Sequence, residues 1–234
     1  MNRFTLDNHQ LQLKTILELQ QENNPLLQHL INTFKCSKLQ SLEDYLKDDA
    51  RNDVARNINC VYIVYDEKVR LAVGYFSLKS TALIHSVDED VKEKMIIDNP
   101  DAKDFFDGNR DNKKNVHSTT PCVEIVQFAI NENYQEYLKE NKLPNSKIGY
   151  SIFKEIISPL IQLLKNRIGI TFIILFAYND VQGKVIEAYR DMGFSTIEDD
   201  ELNFFPLMEN STVLRTFFER KCKFMFMPVA DIDL

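Results

Sequence analysis

The first feature of chemical interest is a glycine at the start of an apolar helical pattern. The stretch SKIGYS (residues 146–151) precedes a long run of apolar residues at helical spacing, so Gly149 falls in the first turn. Backbone N–H groups are unpaired at a helix start and the helix dipole is positive there, which favours an anion such as a pyrophosphate. Because glycine has no side chain, such a ligand can approach the main chain closely. Many folds place a glycine here without any ligand, so this stretch alone does not decide the function.

A second stretch, AYRDMGF (residues 188–194), ends another amphipathic helical pattern. Gly193 suits the left-handed conformation at a helix C-terminus, and Phe194 just beyond it can pack back onto the last turn. Helix termination does not explain Tyr189, which stands four residues before the glycine. By itself, Tyr189 fits either a packed aromatic residue or a phenol that takes part in chemistry.

A carboxylate interrupts the most strand-like part of the chain. PCVEIVQFAI (Pro121–Ile130) is nearly continuous in apolar residues, which is typical of a strand in the middle of a sheet. Glu124 within it is a candidate general base, and a strand carboxylate that pairs with a neighbouring group is an equally valid interpretation. Cys122 has no identifiable histidine partner, so we do not expect a cysteine nucleophile. His117, just before the strand, is a second candidate base.

Two strand–helix units hold these residues. The first consists of the Pro121–Ile130 strand, a polar loop from Asn131 to Ser146, and a long helix with a kink at Pro159. The second consists of a strand from Gly169 to Tyr178 and a helix from Val181 to Met192. The core-facing residues of the long helix are predicted to be Ile152, Phe153, Ile156, Ile157, Leu160, Leu163 and Leu164. Near the end of the chain, NFFPLM and KCKFMFMPV are predicted to be closing strands.

The start of the chain is predicted to be helical. Helices are expected from Asn8 to Asn23 and from Pro25 to Phe34, with Asn24–Pro25 as the break between them. A third helix is expected to begin at Ser41, because Ser41 is a suitable N-cap and Asp44 stands three residues later in a capping-box position.

A hairpin and a charged insertion come next. INCVYIVYD (residues 58–66) and VRLAVGYFSLKS (residues 69–80) are rich in β-branched and aromatic residues, which predicts an antiparallel hairpin. The charge-dense segment from Ser86 to Lys114 predicts an insertion on the surface. An antiparallel start followed by strand, helix, strand and helix predicts an α/β (α+β) fold. We expect a single domain over residues 1–234, with a mixed, mostly antiparallel central sheet flanked by helices.

Length and charge narrow the class of protein. The chain has 234 residues and a formal net charge of −7, so long-range attraction to nucleic acid is disfavoured. The four cysteines are far apart and show no metal-ligand spacing, so we expect no metal. The start lacks a secretory signal pattern and no apolar run is long enough to span a bilayer, so we expect a cytoplasmic protein without a membrane segment.

Together these pieces resemble the GNAT superfamily of N-acetyltransferases, which use acetyl-CoA. The resemblance covers most of the chain after about Phe34 and excludes the insertion. FKCSKLQSLEDYLKDDA, followed by VYIVYDEKVRLAVGYFSL, is similar to the opening of the toxin acetyltransferases of toxin–antitoxin pairs. VEIVQFAI with SKIGYS resembles the acetyl-CoA-binding motif Q/R-x-x-G-x-G/A, from which Ser146 and Ser151 depart. AYRDMGF resembles the motif after the next strand and is the most specific of the three.

The resemblance implies a role for each candidate residue. Tyr189 would act as general acid and protonate the thiolate of CoA as it leaves. Glu124 would accept the proton of the attacking amine, through a water molecule. Asn179 would bind the cofactor or cap the following helix, and capping is the simpler interpretation. The strand end would pair with the pantetheine arm as another strand would, and the helix start would hold the pyrophosphate. These cofactor-binding residues are Phe128, Ala129, Ile130, Lys147, Ile148, Gly149, Tyr150 and Ser151.

Three functions remain open. The first is acetyl transfer from acetyl-CoA to a primary amine of a small molecule or a protein. The second is toxin activity, acetylation of the amino group of a charged tRNA, which the opening segment favours and the net charge of −7 opposes. The third is a non-catalytic CoA-binding or interaction module. A homodimer could form through the apolar end strand KFMFM (residues 223–227).

Overall fold

The computed structural model describes residues 2–6, 9–86, 117–144, 147–180, 182–196, 204–206 and 222–232. The insertion predicted from Ser86 to Lys114 therefore lies outside the described residues except for Ser86, and so does Ser146. Within the described residues, nine strands form one sheet. They are β1 (Asn2–Leu6), β2 (His9–Thr15), β3 (Cys60–Asp66), β4 (Leu71–Ser86), β5 (His117–Ile130), β6 (Phe172–Tyr178), β7 (Ser195–Thr196), β8 (Phe204–Pro206) and β9 (Cys222–Pro228).

The sheet is mixed and mostly antiparallel. Its strand order is β1-β2-β3-β4-β5-β6-β9-β7, and β8 pairs with the far end of β4. β5 and β6 are parallel, whereas every other neighbouring pair in the described residues is antiparallel. The predicted fold class is therefore confirmed. The predicted hairpin is also confirmed, as β3 and β4, and β4 continues past the expected end at Ser80 to Ser86.

Helical segments cover both faces of this sheet. The α-helical segments in the described residues are α1 (Ile16–Asn32), α2 (Gln40–Asp44), α3 (Ala50–Ala55), α4 (Glu132–Glu140), α5 (Ile148–Ile152), α6 (Ser158–Ile168) and α7 (Lys184–Asp191). Wider π-helical turns join α2 to α3 (Tyr45–Asp49) and α5 to α6 (Phe153–Ile157). Each of these two pairs therefore forms one continuous helical rod.

The helix predicted from Asn8 to Asn23 is wrong over its first half, which is strand β2. Leu11 and Leu13 are buried and alternate with polar residues, so this stretch has the period of a strand rather than that of a helix. α1 begins only after Thr15, whose side chain and backbone form a capping box with Glu18. The break before Pro25 is confirmed as a kink with non-helical backbone angles at Asn23.

The predicted helix start at Ser41 is also wrong. A short 3₁₀ turn (Ser37–Leu39) precedes α2, so Ser41 lies inside the helix and does not cap it. The side chain that holds the incoming chain is Glu43, whose carboxylate accepts the N–H of Cys36 at 2.8 Å. Because Glu43 bonds to a residue seven positions before it, the helical region begins before Ser41, the start that the local capping pattern predicted.

The polar loop predicted from Asn131 to Ser146 contains helix α4. The side chain of Asn131 accepts the N–H of Asn133 at 3.1 Å and so caps the helix. Tyr134 and Leu138, four residues apart, are buried against the core, and the rest of α4 is mostly polar. Two buried positions are too few to give a helical pattern, which explains the error.

The long helix after Lys147 is confirmed, with one shift of its buried side. A π-helical turn uses one extra residue, so the positions that follow it rotate around the helix axis. Leu163, predicted to face the core, is consequently exposed, and Ile161 is buried instead. Pro159 lies just after the π-helical turn, at the first turn of α6.

Each face of the sheet has its own hydrophobic cluster. On one face, which we call the α5 face, Val123 and Ile125 of β5 pack with α4, α5 and α6. On the other, the α1 face, Tyr75 of β4 and Ala129 of β5 pack with α1, α2 and the turn that follows it. Farther along the α1 face, Cys122 packs with Leu83, Ile174 and Phe226. β5 runs through the middle of the sheet and contributes to both faces.

Candidate active site

The parallel strands β5 and β6 separate partway along their length. Their pairing ends at Ile125 and Leu175. Beyond that point β5 continues to Ile130 along β4, and β6 continues to Tyr178 along β9. We call the space between the two diverging strand ends the cleft.

A β-bulge lies where the strands separate. Leu78 of β4 pairs with Ile125, and the next residue back, Ser77, pairs with Gln127, so Val126 is an extra residue on β5. A bulge bends its strand and increases the local twist. The bulge therefore accounts for the turn of β5 away from β6.

The bulge also decides which backbone groups face the cleft. The N–H groups of Gln127 and Asn131 both donate toward β4. Because backbone groups alternate in direction along a strand, Ala129 also faces β4, while Phe128 and Ile130 turn their N–H and C=O groups toward the cleft. The pairing of the Ala129 backbone with a bound arm stays a prediction, which this direction toward β4 does not favour. Phe128 and Ile130 keep the geometry that such pairing requires.

The start of α5 lies against the end of β5, at the mouth of the cleft. Lys147 precedes the helix in the left-handed conformation (φ 60°, ψ 30°), and no side chain in the described residues caps the start. The first bond across this turn runs from the N–H of Ser151 to the carbonyl of Lys147, at 3.0 Å. A Cβ atom on Gly149 would lie 3.8 Å from Ile130 and 3.9 Å from Phe128. The unpaired amides at the start of α5 and Gly149, which has no side chain, thus lie together beside the end of β5.

Tyr189 belongs to a hydrogen-bonded helix end. Gly193 has the left-handed conformation (φ 104°), and its N–H donates to the carbonyl of Arg190 at 2.9 Å. The N–H of Phe194 donates to the carbonyl of Tyr189 at 3.0 Å. These two bonds form a Schellman motif, in which the residue after the glycine packs on the residue five positions before it. The predicted termination at Gly193 and Phe194 is confirmed.

The Tyr189 hydroxyl holds its proton firmly. The residue is half-buried overall, but burial around the hydroxyl raises the pKa of Tyr189 to about 12. The hydroxyl makes no hydrogen bond with the part of the chain that the structure describes. A neutral phenol without a protein partner can donate its proton to a bound group that becomes basic.

An ion pair connects the two motifs. The Lys147 ammonium lies 3.7 Å from the carboxylate of Asp191, which is two residues after Tyr189 on α7. Both side chains are exposed, so the pair adds little stability. Its value is geometric, since it shows that the end of α7 lies beside the start of α5. Tyr189 and Tyr150, the latter in the first turn of α5, also pack against the same hydrophobic cluster.

Glu124 lies on the other face of β5, one residue before the pairing with β6 ends. It pairs across the sheet with Lys79 of β4 and is half-buried. Burial raises the pKa of Glu124, and the Lys79 ammonium offsets part of that effect. The carboxylate makes no hydrogen bond within the described residues. A desolvated carboxylate of this kind is a better proton acceptor than an exposed one.

Asn179 directly follows β6, the strand on the other side of the cleft. It is exposed, and in the part of the chain that the structure describes the N-cap of α7 is Gly183 rather than Asn179. The capping role belongs to its neighbour Asp180, whose carboxylate accepts the N–H of Val185 at 3.2 Å. Asp180 also turns the chain, since its carbonyl accepts the N–H of Gly183.

The fold has relatives among solved structures, although no family model and no curated protein matches the sequence. A Tyr-to-Phe mutant of KacT matches with a TM-score of 0.52 at 14% identity, over 95% of this chain and 96% of that one. A Tyr-to-Phe mutant of the toxin AtaT, bound to acetyl-CoA and the C-terminus of the antitoxin AtaR, matches with a TM-score of 0.52 at 13% identity, over 95% of each chain. AtaT complexed with acetyl-methionyl-tRNAfMet gives 0.51 at 14% identity, over 95% of this chain and 96% of AtaT.

The chain has the GNAT fold. This confirms the resemblance drawn from AYRDMGF, VEIVQFAI and SKIGYS as far as the architecture is concerned. Within the GNAT fold of this chain, Tyr189, the start of α5 and the cleft-facing ends of Phe128 and Ile130 come together on the α5 face. Glu124 lies on the α1 face, one residue before the point where β5 and β6 separate.

Three polar residues that the sequence did not single out anchor this part of the GNAT fold. Asn131 is fully buried and bonds through its amide to the carbonyl of Ala72 and the N–H of Lys35, at 2.8 and 3.0 Å. Ser77 is fully buried beside Gln127 at the bulge. In the sequence, each of these residues is visible only as a polar residue within or beside an apolar strand pattern. Such a pattern does not show which distant residue it bonds to.

Three further expectations concern metals, membrane spans and assembly. The described residues hold no group of three or more potential metal ligands. In the same residues, no helix combines the length and apolar character that crossing a bilayer requires. The predicted dimer strand is β9, which pairs with β6 on one side and, at Phe226 and Met225, with β7 on the other. Pairing with a second copy at these residues is therefore not supported.

Proposed function

We propose that this chain is an acetyl-CoA-dependent N-acetyltransferase. The observation that carries the proposal is the cleft between β5 and β6, with outward-facing backbone on one side and an uncapped helix start at its mouth. The pantetheine arm can add to the free edge of β5 at Phe128 and Ile130 as another strand would. The pyrophosphate fits over the amides of residues 147–151. Asn179 remains a proposed cofactor contact.

Tyr189 and Glu124 divide the two proton transfers. When the amine attacks the thioester carbonyl and the C–S bond breaks, the Tyr189 hydroxyl donates its proton to the departing sulfur. Glu124 accepts the proton that the amine loses, through a water molecule. The two residues approach β5 from opposite faces, which fits a cofactor held on the α5 face and an acceptor that arrives on the α1 face.

The acceptor that the comparisons favour is the amino group of an aminoacyl-tRNA, because AtaT was solved with acetyl-methionyl-tRNAfMet. The net charge of −7 means that tRNA binding depends on local contacts rather than on overall attraction. The same charge favours the second candidate, a small-molecule or protein amine. AtaT also binds the C-terminus of the antitoxin AtaR, so the proposal includes an antitoxin as a partner. The proposal also includes a cytoplasmic location.

The test measures CoA release from acetyl-CoA with different acceptors. Total aminoacyl-tRNA is compared with the same tRNA after deacylation, and with polyamines, amino acids and peptides. Release with charged tRNA but not with deacylated tRNA supports the proposal. Release only with small or peptide amines supports the second candidate, and acetyl-CoA binding without transfer to any amine supports a non-catalytic module.

A further inference from the structure

Gln127 is held at the bulge by a two-bond clasp. Its backbone N–H donates to the hydroxyl oxygen of Ser77 at 3.1 Å, and the hydroxyl in turn donates to the side-chain carbonyl oxygen of the same glutamine. Ser77 is fully buried. The carbonyl end of the Gln127 side-chain amide therefore faces Ser77, whose hydroxyl uses its single hydrogen for this bond.

The clasp leaves the other end of the amide available. With its carbonyl engaged, the Gln127 side chain presents two N–H donors away from Ser77, and neither has a partner in the described part of the chain. Gln127 is half-buried, so these donors are positioned rather than freely solvated. A hydrogen-bond donor in a partly desolvated position contributes most to binding when a ligand oxygen accepts from it. It costs binding free energy when that oxygen is missing.

Gln127 lies on the acceptor side of the proposed reaction. Tyr75, Ser77 and Lys79 alternate along β4 and therefore share the α1 face, and their partners on β5 share it too. Glu124 and Gln127 consequently project from the same face, on either side of the bulge. Three residues of strand span about 10 Å at most, at about 3.3 Å each. The side chains of Glu124 and Gln127 are long enough to reach the same small group of a bound acceptor.

We propose that the side-chain amide of Gln127 is a specificity-determining group that donates to the acyl carbonyl oxygen of an α-aminoacyl acceptor. This inference rests on the proposed acetyltransferase function. In an α-aminoacyl ester or amide, the carbonyl lies one carbon from the amine, so Gln127 can hold the oxygen while Glu124 serves the nitrogen. A polyamine or a lysine side chain has no such oxygen. Binding it leaves the Gln127 donors unmatched, which disfavours that acceptor.

The experiment compares the full-length wild type with Gln127→Ala, Gln127→Glu and Gln20→Ala, the last being a control at an exposed glutamine of α1. Each variant is assayed for acetyl transfer to total aminoacyl-tRNA and to spermidine, for acetyl-CoA affinity by calorimetry, and for thermal stability. Gln127→Ala should lower kcat/KM for aminoacyl-tRNA by about 10- to 100-fold. Gln127→Glu should lower it at least as much, because a carboxylate repels the carbonyl oxygen. Acetyl-CoA affinity, spermidine transfer and the Gln20→Ala variant should stay near wild type.

Several outcomes overturn the inference. Near-normal transfer by Gln127→Ala shows that the amide does not contact the acceptor. Faster transfer by Gln127→Glu shows that position 127 accepts a hydrogen bond from the amine instead. An equal loss with spermidine, or a loss of acetyl-CoA affinity, shows a general role at the bulge. If the wild type acetylates spermidine alone, the inference fails while acetyltransferase activity stands, and if it acetylates no amine, the proposed function fails as well.

Discussion

Phe194 is bound to Tyr189 through both backbone and side chain. Its N–H donates to the Tyr189 carbonyl at 3.0 Å, and the two rings meet edge to face with centroids 5.7 Å apart and an interplanar angle of 77°. Gly193 makes this possible by taking a φ of 104°, which residues with a side chain rarely adopt. The helix end thus does more than stop α7, because it fixes the ring that carries the proposed acid.

The first prediction concerns that hydroxyl. Tyr189→Phe keeps the ring and its contact with Phe194, so fold and acetyl-CoA affinity should barely change. If Tyr189 protonates the departing sulfur, kcat should fall by about a hundredfold or more, the usual scale of general acid catalysis. Because the pKa of Tyr189 is raised to about 12, the wild-type rate should not decline through loss of this proton between about pH 8 and 10. Steady-state kinetics with the best acceptor measure both effects.

The control for this variant is Tyr137→Phe, at a half-buried tyrosine of α4. It removes a tyrosine hydroxyl without touching the proposed acid or the proposed cofactor-binding residues. Near-normal turnover by Tyr189→Phe would return that residue to a purely packing role. Equal losses in both variants would indicate a general disturbance of the fold.

The second prediction concerns the helix start. A Cβ atom on Gly149 would make only ordinary contacts with Ile130 and Phe128, so Gly149→Ala should fold normally. Gly149→Leu should also fold but should abolish CoA binding, because its side chain occupies the space where a pyrophosphate would approach the amides. Calorimetry with CoA compares both variants with the wild type. Unchanged affinity in Gly149→Leu would show that the anion binds elsewhere.

Strongly periodic elements could be predicted from the sequence, whereas elements set by distant partners could not. The α5–α6 rod and the strands β3 and β6 have long apolar patterns of their own. β2 has only Leu11 and Leu13 to show its period, and it is a strand because β3 lies beside it. α4 has two buried residues and begins at Asn131, whose other bonds reach Ala72 and Lys35.

The site shows the same division. Gly149, Tyr189 and Glu124 could be proposed as candidate residues because a motif or a strand pattern surrounds each of them. The direction of the Ala129 backbone could not be predicted, because it depends on the β-bulge at Val126. That bulge is defined only by the pairing register between β5 and β4. The role of Gln127 could not be predicted for the same reason, because its hydrogen-bond partner Ser77 lies on another strand.

The third prediction concerns the segment between β4 and β5. These strands pair antiparallel as far as Ser86 and His117, so the two ends of the segment are neighbours across the sheet and a short turn can join them. A variant with Asp88 to Lys114 replaced by a short Gly/Ser linker should therefore fold and bind CoA. Acceptor preference should change, because loops usually shape that pocket. A folded variant that has lost CoA affinity would assign the segment to the cofactor site.

The last prediction separates catalysis from stability at Glu124. Burial raises the pKa of this carboxyl group, so its charged form is disfavoured in the folded protein, and the group costs stability as the pH rises through its ordinary range. Glu124→Gln removes that cost and should raise the melting temperature near pH 7. Glu155→Gln, at an exposed glutamate of the helical rod, is the control and should leave it unchanged.

The same substitution should lower activity. If Glu124 accepts the amine proton, Glu124→Gln should reduce kcat/KM by about a hundredfold. The wild-type rate should fall as the pH drops through a pKa above the ordinary carboxyl value, because protonated Glu124 cannot act as a base. That acidic limb should vanish in Glu124→Gln and persist in Glu155→Gln. A stabilised Glu124→Gln variant with wild-type rates would show that the carboxylate is a buried strand residue and that the amine loses its proton elsewhere.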